Sequence, residues 1–235
     1  MKAREILIAT TIKNKGNWEN TYKDIMNKVY PSEEEISKTK DIQCITLLDE
    51  EYPDKLKHGY KPPFVLFYKG NIELLKSDNI IAVIGTRTPK QKTLDFTEKF
   101  VSKQTDKVII TTEANGVAEK VRKATRRAGV KTIVVLGGSL DYKEVVGDLI
   151  ISEYPLNTTP NMENYPFRNR IVAQLANQVC VMDLKEHSGN LITISNALSA
   201  GKNIYVVPDI EEENSKANEL IDEGAYCLTL ATTLE

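Results

Sequence analysis

The chain has 235 residues, a formal net charge of −2, and 41% apolar and 27% charged residues, which is typical of a globular protein. The near-neutral total excludes a polycation, so any contact with nucleic acid has to come from a local patch. No run of 18 apolar residues and no signal-peptide pattern occurs, so we expect a cytoplasmic protein without a membrane segment. The three cysteines show neither pairing nor metal-ligand spacing, and we expect Cys44 and Cys180 to be buried.

The first part of the chain predicts a small helical region over 1–40. Its apolar anchors are few, and a proline and a serine followed by three acidic residues at 31–35 predict a helix start. Two short strands over 42–48 and 64–68 follow, with a proline-rich turn between them. We therefore expect a helical N-terminal region and a larger domain at 41–235.

From residue 79 onward the pattern becomes regular. Short apolar runs without alternation are separated by segments of helical length, which is typical of a parallel sheet covered on both faces. We predict an α/β fold, a Rossmann-like doubly wound and mostly parallel sheet. The predicted strands are 79–85, 107–112, 131–138, 148–155, 178–183 and 202–208, and the predicted helices are 90–104, 116–129, 168–177 and 190–200.

Ligands of such folds lie beyond the carboxyl ends of the strands, so the residues after each strand are the candidates for a site. Gly85 and Thr86 end the first regular strand, and Arg87 adds a guanidinium fork suited to phosphate. The amides of the following helix would complete an anion site. Gly137 and Gly138 follow another strand in the same way. The alternative is a plain turn with a surface arginine.

A second candidate is the segment Ser188, Gly189 and Asn190, which precedes a predicted helix. These residues form either an ordinary helix cap or a nest of amide groups for a phosphate. The residues alone leave both interpretations open.

A third candidate is the basic run over 119–131, in which six basic residues accompany the single acid Glu119. On a helix Lys123 and Arg127 share a face, as do Arg122 and Arg126. This run is the strongest local footprint for a polyanion in the sequence. The alternative is a solvated helix surface.

Arg168 and Arg170 stand at the start of the predicted helix 168–177. Positive charge is disfavoured at a helix N-terminus, so we infer that a phosphate, or the pocket around it, requires these guanidinium groups. The long proline-bounded loop 154–166 before them is expected to lie across the edge of the sheet.

Nine short motifs occur in a specific order between about residues 49 and 225. They are "EYPDKLK", "PPFVLFYKGN", "IAVIGTR", "KTIVVLGGSLD", "ISEYP", "FRNRIVAQLANQVCVMD", "SGNLITISNAL", "GKNIYVVP" and "LIDEGA". In order and spacing they resemble the DNA-processing protein A family, also called DprA or Smf. The combination of "RNRI" with "SGNLIT" is the most specific part of the resemblance.

The resemblance implies a Rossmann-like protein that forms a homodimer, binds single-stranded DNA and hands it to the recombinase RecA. It implies a binding and loading module without cofactor, metal or chemistry of its own. On that model Arg87, Arg168 and Arg170 would contribute to a positive pocket for the DNA backbone. Tyr165 or Phe167 would supply the aromatic platform on which bases stack. The candidate DNA or phosphate residues are Gly85, Thr86, Arg87, Lys123, Arg126, Arg127, Gly137, Gly138, Phe167, Arg168, Asn169, Arg170, Ser188, Gly189 and Asn190.

The chain also departs from the family pattern. The family's glycine-rich loop, "SGxAxGID…AH", is replaced by "TTEANGVAEKVRK", in which only Gly116 keeps its place. Met162 stands where the family has a basic residue, and we expect the winged helix that many members carry at the C-terminus to be missing. We hypothesise that the basic run 119–131 compensates for the lost lysine.

Two other functions remain open from the sequence. Related scaffolds bind free nucleotides or nucleotide-derived signals, so the chain could be a sensor or sponge for such a ligand. Hydrolysis of a nucleotide by Glu113 or Glu153 is a third interpretation, although one carboxylate does not make an active site. Salt dependence separates strand binding from nucleotide binding, because several phosphate contacts make the affinity fall steeply with salt.

Overall fold

A single sheet of nine strands runs through residues 3–212 and 215–234, the part of the chain that the computed structural model describes. The strands are β1 (Cys44–Thr46), β2 (Val65–Gly70), β3 (Ile80–Ile84), β4 (Val108–Thr112), β5 (Lys131–Val135), β6 (Leu149–Ser152), β7 (Gln178–Val181), β8 (Asn203–Val206) and β9 (Tyr226–Cys227). Their order across the sheet is β1-β2-β6-β5-β4-β3-β7-β8-β9. Strands β3 to β9 pair in parallel, whereas β2 is antiparallel to both β1 and β6. The predicted Rossmann-like, mostly parallel architecture is confirmed.

Nine α-helices flank the sheet within the described residues. They are α1 (Ala3–Lys13), α2 (Trp18–Met26), α3 (Glu33–Ser37), α4 (Asp54–Lys57), α5 (Gln91–Ser102), α6 (Val117–Ala128), α7 (Asn164–Leu175), α8 (Asn190–Ser199) and α9 (Lys216–Asp222), with a 3₁₀ turn at Ile72–Lys76. The helix start expected at 31–35 is confirmed in α3, where Ser32 and Glu35 form a capping box.

The predicted start of the helix carrying the two arginines is wrong by four residues. Helix α7 begins at Asn164 rather than at Arg168. Pro166 ends the predicted loop, but a proline is tolerated in the first turn of a helix because the amides there have no intrahelical acceptor. Arg168 and Arg170 therefore lie in the second turn, away from the end at which positive charge is disfavoured.

Both faces of the sheet are buried, which explains the uninterrupted apolar strands. In β3, Ile80 and Ala82 belong to one core, while Ile81 and Val83 belong to the other. Successive strand side chains point to opposite faces, so a strand covered twice has to be apolar throughout. Helices α7 and α8 cover the first face, and α5 and α6 cover the second.

The N-terminal helical region packs on the antiparallel edge of the sheet. Leu7 and Ile8 of α1 lie in a small core with Cys44 of β1 and with Val65 and Phe67 of β2. Cys44 and Cys180 are both buried, as the sequence predicts. The division of the chain at residue 40 stays a prediction. None of the helices in the described ranges combines the length and the apolar character that a membrane crossing needs.

The strand order of the sheet reverses at β3: successive strands of the chain are added first on one side of β3 and then on the other. The strands β4, β5 and β6 follow on one side of β3, and β7, β8 and β9 follow on the other. A doubly wound sheet opens a crevice at the carboxyl ends of its strands where this reversal occurs. The fold therefore places a crevice beyond Ile84, Thr112 and Val181.

Candidate functional site

A cavity of about 450 Å³ lies at that crevice. Its walls come from the segments after β3, β4 and β7, from the first two turns of α7 and from the first turn of α8. Eight of the residues singled out from the sequence line it together: Gly85, Thr86, Arg87, Arg168, Asn169, Ser188, Gly189 and Asn190. The rule that ligands lie beyond the strand ends thus locates one contiguous surface from segments far apart in the chain.

The charge of this cavity is one-sided. Three of its lining residues are the cations Arg87, Arg168 and Lys185, whereas none of its described lining residues is an aspartate or glutamate. This contrasts with the whole chain, whose formal charge is −2. A concave surface lined by one sign of charge attracts ligands of the opposite sign.

Two guanidinium groups lie near the ring of Tyr165 at the cavity wall. The guanidinium carbon of Arg87 is 5.3 Å from the centroid of the tyrosine ring, and that of Arg168 is 5.0 Å from it. Both distances are within the range of cation–π attraction. Arg87 is exposed and forms no ion pair with a described residue, whereas Arg168 is only 5% exposed. Arg87 is therefore the guanidinium that presents uncompensated charge to a ligand.

Arg168 forms a buried ion pair with Glu113. Its Nη1 donates to Oε2 of Glu113 at 2.5 Å, and its Nε donates to Oδ1 of Asn169 at 3.0 Å. The other carboxylate oxygen of Glu113 accepts from the backbone amide of Gly137 at 3.2 Å. This chain of contacts fixes the wall behind Tyr165 and leaves Arg168 with little net charge to offer.

Gly137 and Gly138 lie behind the cavity and do not line it. A β-carbon on Gly137 would come within 3.0 Å of the Tyr165 ring, and one on Gly138 would come within 2.7 Å of Pro160. The carbonyl of Gly137 accepts from the side chain of Asn164 at 2.8 Å. The two glycines thus allow loop 154–166 and the start of α7 to lie close over the strand ends, which is the crossing predicted for that loop.

Arg170 points away from the cavity into the protein interior. Its Nη2 donates to Oε2 of Glu153 at 2.6 Å, and both side chains are almost fully buried. Within the described structure Arg170 Nε and Nη1 and Glu153 Oε1 have no hydrogen-bond partner. The guanidinium carbon of Arg170 lies 5.1 Å from the ring centroid of Phe167.

Phe167 also lies outside the cavity, in a neighbouring groove. It shares that groove with Trp18 and Lys61, and the Nζ of Lys61 is 5.7 Å from the centroid of the Phe167 ring. Of the two aromatic candidates, only Tyr165 faces the cavity. The roles of Phe167 and Arg170 in binding stay predictions.

The loop after β3 is locked to the start of α6, not to the start of α5. The amide of Val117 donates to the carbonyl of Thr86 at 3.1 Å. Gly116 has a φ of +71°, and a β-carbon there would come within 2.5 Å of the Thr86 carbonyl oxygen. Helix α5 begins at Gln91, one residue from its predicted start, so three residues separate its first amide from Arg87.

The segment before α8 is a partly capped turn at the cavity wall. The Oγ of Ser188 accepts from the amide of Asn190 at 3.2 Å, and the side chain of Asn169 donates to the carbonyl of Gly189 at 2.9 Å. No side chain caps the N-terminus of α8. The phosphate-binding interpretation of this segment stays a prediction.

The basic run on α6 is largely neutralised by neighbouring acids. Ion pairs join Lys123 to Glu119 at 2.6 Å and Arg127 to Glu98 at 2.8 Å, and the latter carboxylate also pairs with Lys120. Among the described residues Arg126 forms no ion pair. None of Lys123, Arg126 and Arg127 lines the cavity.

Two titratable cavity residues, Lys185 and His187, are not among the candidate site residues named from the sequence. Both lie between the end of β7 and the start of α8. The strand-end rule covers this segment, but a lone lysine and a lone histidine carry no pattern that distinguishes them from surface residues. Among the described residues no cluster of three or more metal-ligating side chains occurs.

Comparison with known proteins identifies the family. The model of the family DNA recombination-mediator protein A matches residues 43–234, more than four-fifths of the chain. The chain belongs to this family. It is 33% identical over 198 residues to DNA processing protein DprA of Streptococcus pneumoniae, an alignment covering 78% of this chain and 70% of the relative.

Other relatives agree with this membership. The DprA protein of Bacillus subtilis is 33% identical over 71% of this chain, but the chain spans only 61% of that relative's length. A solved structure of the S. pneumoniae protein superposes with a TM-score of 0.78 at 30% identity, covering 90% of this chain and 77% of the other. The Helicobacter pylori DprA, in a structure described by its single-stranded DNA binding mode, superposes with a TM-score of 0.70 at 26% identity, covering 79% and 90% of the two chains.

Proposed function

We propose that this DprA-family chain binds single-stranded DNA across the cavity at the carboxyl ends of β3, β4 and β7, and that it serves DNA recombination. The observation that carries the proposal is the acid-free cavity with the exposed Arg87 stacked on Tyr165. Strand binding without sequence preference uses a positive surface together with aromatic rings. The related H. pylori protein is described as binding single-stranded DNA.

In this proposal the cavity residues divide into two groups. Arg87 and Lys185 contact phosphates, and Tyr165 stacks on a base. Arg168 and Asn169 position the wall that holds Tyr165, because their side chains are engaged with Glu113 and Gly189. Arg170 acts further back, as a buried support for the same helix.

We also propose a binding protein without catalytic chemistry. The two carboxylates considered for hydrolysis, Glu113 and Glu153, are each held by a buried arginine and line no part of the cavity. A general base needs to reach the substrate. The nucleotide-sensor interpretation is not favoured, since the relatives are DNA-processing proteins.

The test is anisotropy binding of a labelled oligothymidine at low and moderate salt. Wild type is compared with Arg87→Ala and with Arg126→Ala, which removes an exposed arginine outside the cavity. We expect Arg87→Ala to weaken binding about tenfold, the equivalent of one charged hydrogen bond, and to make the salt slope shallower by about 0.7. Arg126→Ala is expected to change the affinity much less.

The same assay decides whether DNA binds at the cavity or at the basic run of α6. Arg126→Glu and Arg127→Glu together test whether the basic run compensates for the altered loop, and unchanged binding excludes that hypothesis. Equal losses from Arg87→Ala and Arg126→Ala would contradict the cavity. Absence of wild-type binding even at low salt would contradict the proposed function.

The family resemblance extends the proposal to partners. We propose that the chain forms a homodimer in the cytoplasm and passes the strand to a RecA-like recombinase. Light scattering after size exclusion measures the first point, with a monomer at micromolar concentration contradicting it. The second is measured by recombinase filament formation on strand pre-coated with a single-strand binding protein, with and without this chain.

A further inference from the structure

Two lysines beside the cavity are occupied by a carboxylate of the chain itself. Nζ of Lys90 lies 2.5 Å from Oε2 of Glu211, and Nζ of Lys92 lies 2.7 Å from Oε1 of the same residue. Asp209 adds a longer contact to Lys92 at 3.8 Å. Each oxygen of the Glu211 carboxylate is therefore engaged by a different lysine, as two oxygens of one phosphate would be.

These lysines continue the basic surface of the cavity. Arg87 lines the cavity, and Lys90 follows it three residues later on the same loop. The Nζ of Lys185, another lining residue, donates to Oγ1 of Thr88 at 2.8 Å. Lys90 and Lys92 follow Arg87 and Thr88 along the chain. A DNA strand that leaves the cavity over Arg87 and Thr88 therefore meets the two lysines next.

The contact with Glu211 is open to competition. The side chains of Lys90, Lys92 and Glu211 are 60%, 42% and 51% exposed, so a phosphate can approach both lysines. Exposed ion pairs contribute little to stability. The two lysines lower the pKa of Glu211 to about 2, so its carboxylate remains charged at neutral pH and competes with every phosphate.

We propose that Lys90 and Lys92 form a second phosphate-binding segment for the strand beyond the cavity, and that Glu211 is an internal competitor that weakens binding there. The proposal rests on the function proposed above. Phosphates of a long strand displace Glu211 from the two lysines, whereas a short strand that fills only the cavity leaves the contact intact.

The experiment compares Glu211→Gln with Glu212→Gln. Both substitutions remove one negative charge from the same exposed loop, but of the two glutamates only Glu211 pairs with the lysines among the described contacts. Each variant is titrated with oligothymidines of about six and about fifteen nucleotides, within the span of sites for single strands.

We expect Glu211→Gln to bind the longer strand about two- to fivefold more tightly than Glu212→Gln does, which matches the strength of exposed ion pairs. With the short strand the two variants bind alike. The double variant Lys90→Gln, Lys92→Gln is expected to weaken binding of the long strand and to abolish the gain from Glu211→Gln.

Equal binding of the long strand by both glutamate variants, when wild type binds DNA, overturns this inference and leaves the cavity proposal intact. An equal gain with both strand lengths also overturns it, since the effect would then be one of net charge. Failure of wild type to bind either strand overturns both proposals. Thermal unfolding of each variant confirms that the compared proteins are equally folded.

Discussion

Arg168 and Arg170 lie two residues apart on α7, yet their surroundings differ. Arg168 ends at the cavity and stacks on Tyr165. It pairs with Glu113, and both carboxylate oxygens of Glu113 have hydrogen-bond partners. Arg170 ends in the interior against Phe167, and its pair with Glu153 leaves three buried polar atoms without partners in the described structure. On one helix, the first arginine lines the cavity and the second fills the core beneath it.

The comparison shows that a buried ion pair is no sign of a ligand site by itself. Desolvation of two charges offsets their attraction, so such a pair adds little net stability, but removal of one partner is costly. Replacing only one member of the Arg170–Glu153 pair is therefore expected to destabilise the fold. The Arg168–Glu113 pair has the additional effect of placing an aromatic ring at a cavity.

The largest expected effect is on stability, from Arg170→Met. The substitution leaves Glu153 buried without a counter-charge, so we expect a loss of about 3–5 kcal/mol in the free energy of unfolding. Urea denaturation measures this loss. The double variant Arg170→Met, Glu153→Leu is expected to recover most of it, and a single variant as stable as wild type would contradict the comparison.

The next effect is on DNA affinity, and it separates the two aromatic neighbours. Tyr165→Leu removes a stacking platform from the cavity, and we expect a loss of about 1–3 kcal/mol in binding free energy. Phe167→Leu is expected to leave affinity unchanged because the ring lies in the other groove. Anisotropy titrations at fixed salt measure both, and a larger loss for Phe167→Leu would place the strand in that groove.

The last expected effect is confined to alkaline pH and concerns the opposite end of α7. Nζ of Lys202 donates to the carbonyls of Ala173 at 2.6 Å and Gln174 at 2.5 Å and also to that of Ala176. Burial, and then repulsion by Lys55, lowers the pKa of Lys202 to about 8. Between that value and the ordinary lysine value of about 10.5, the unfolded chain holds more protons than the folded one, so this group makes stability rise with pH.

Lys202→Met removes this contribution. Relative to the variant, wild type is expected to gain stability as the pH rises from about 8 toward 10.5, and to show a constant difference below pH 8. Urea unfolding at a series of pH values measures the difference. A flat difference across the whole range would contradict the assignment.

The fold could be predicted from the sequence because its strands are buried on both faces. β3 is apolar throughout, and β5 and β7 are apolar from residue 133 and from residue 179 onward, which is the pattern typical of a doubly covered parallel sheet. The start of α7 was missed because Pro166 resembles the end of a loop, although the first turn of a helix accepts it.

The cavity could be predicted in part, since strand ends are recognisable. The side-chain partners could not, because they come from segments far apart in the chain. Nothing near Arg168 in the sequence indicates Glu113, and nothing near Lys90 indicates Glu211. Neutralisation of the α6 run by Glu98 of α5 cannot be read from the sequence for the same reason, because the run itself contains only the acid Glu119.

The position of Trp18 allows tryptophan fluorescence to distinguish the N-terminal helices from the cavity. It is the only tryptophan in the sequence, it stacks on Tyr22 and Phe64 at 5.1 and 5.2 Å, and its indole donates to the carbonyl of Pro62. Its emission therefore reports on the packing of α2 against the sheet edge. We expect detachment of the N-terminal helices to shift this emission to the red, whereas DNA bound in the cavity should leave it unchanged, because Trp18 is not a lining residue.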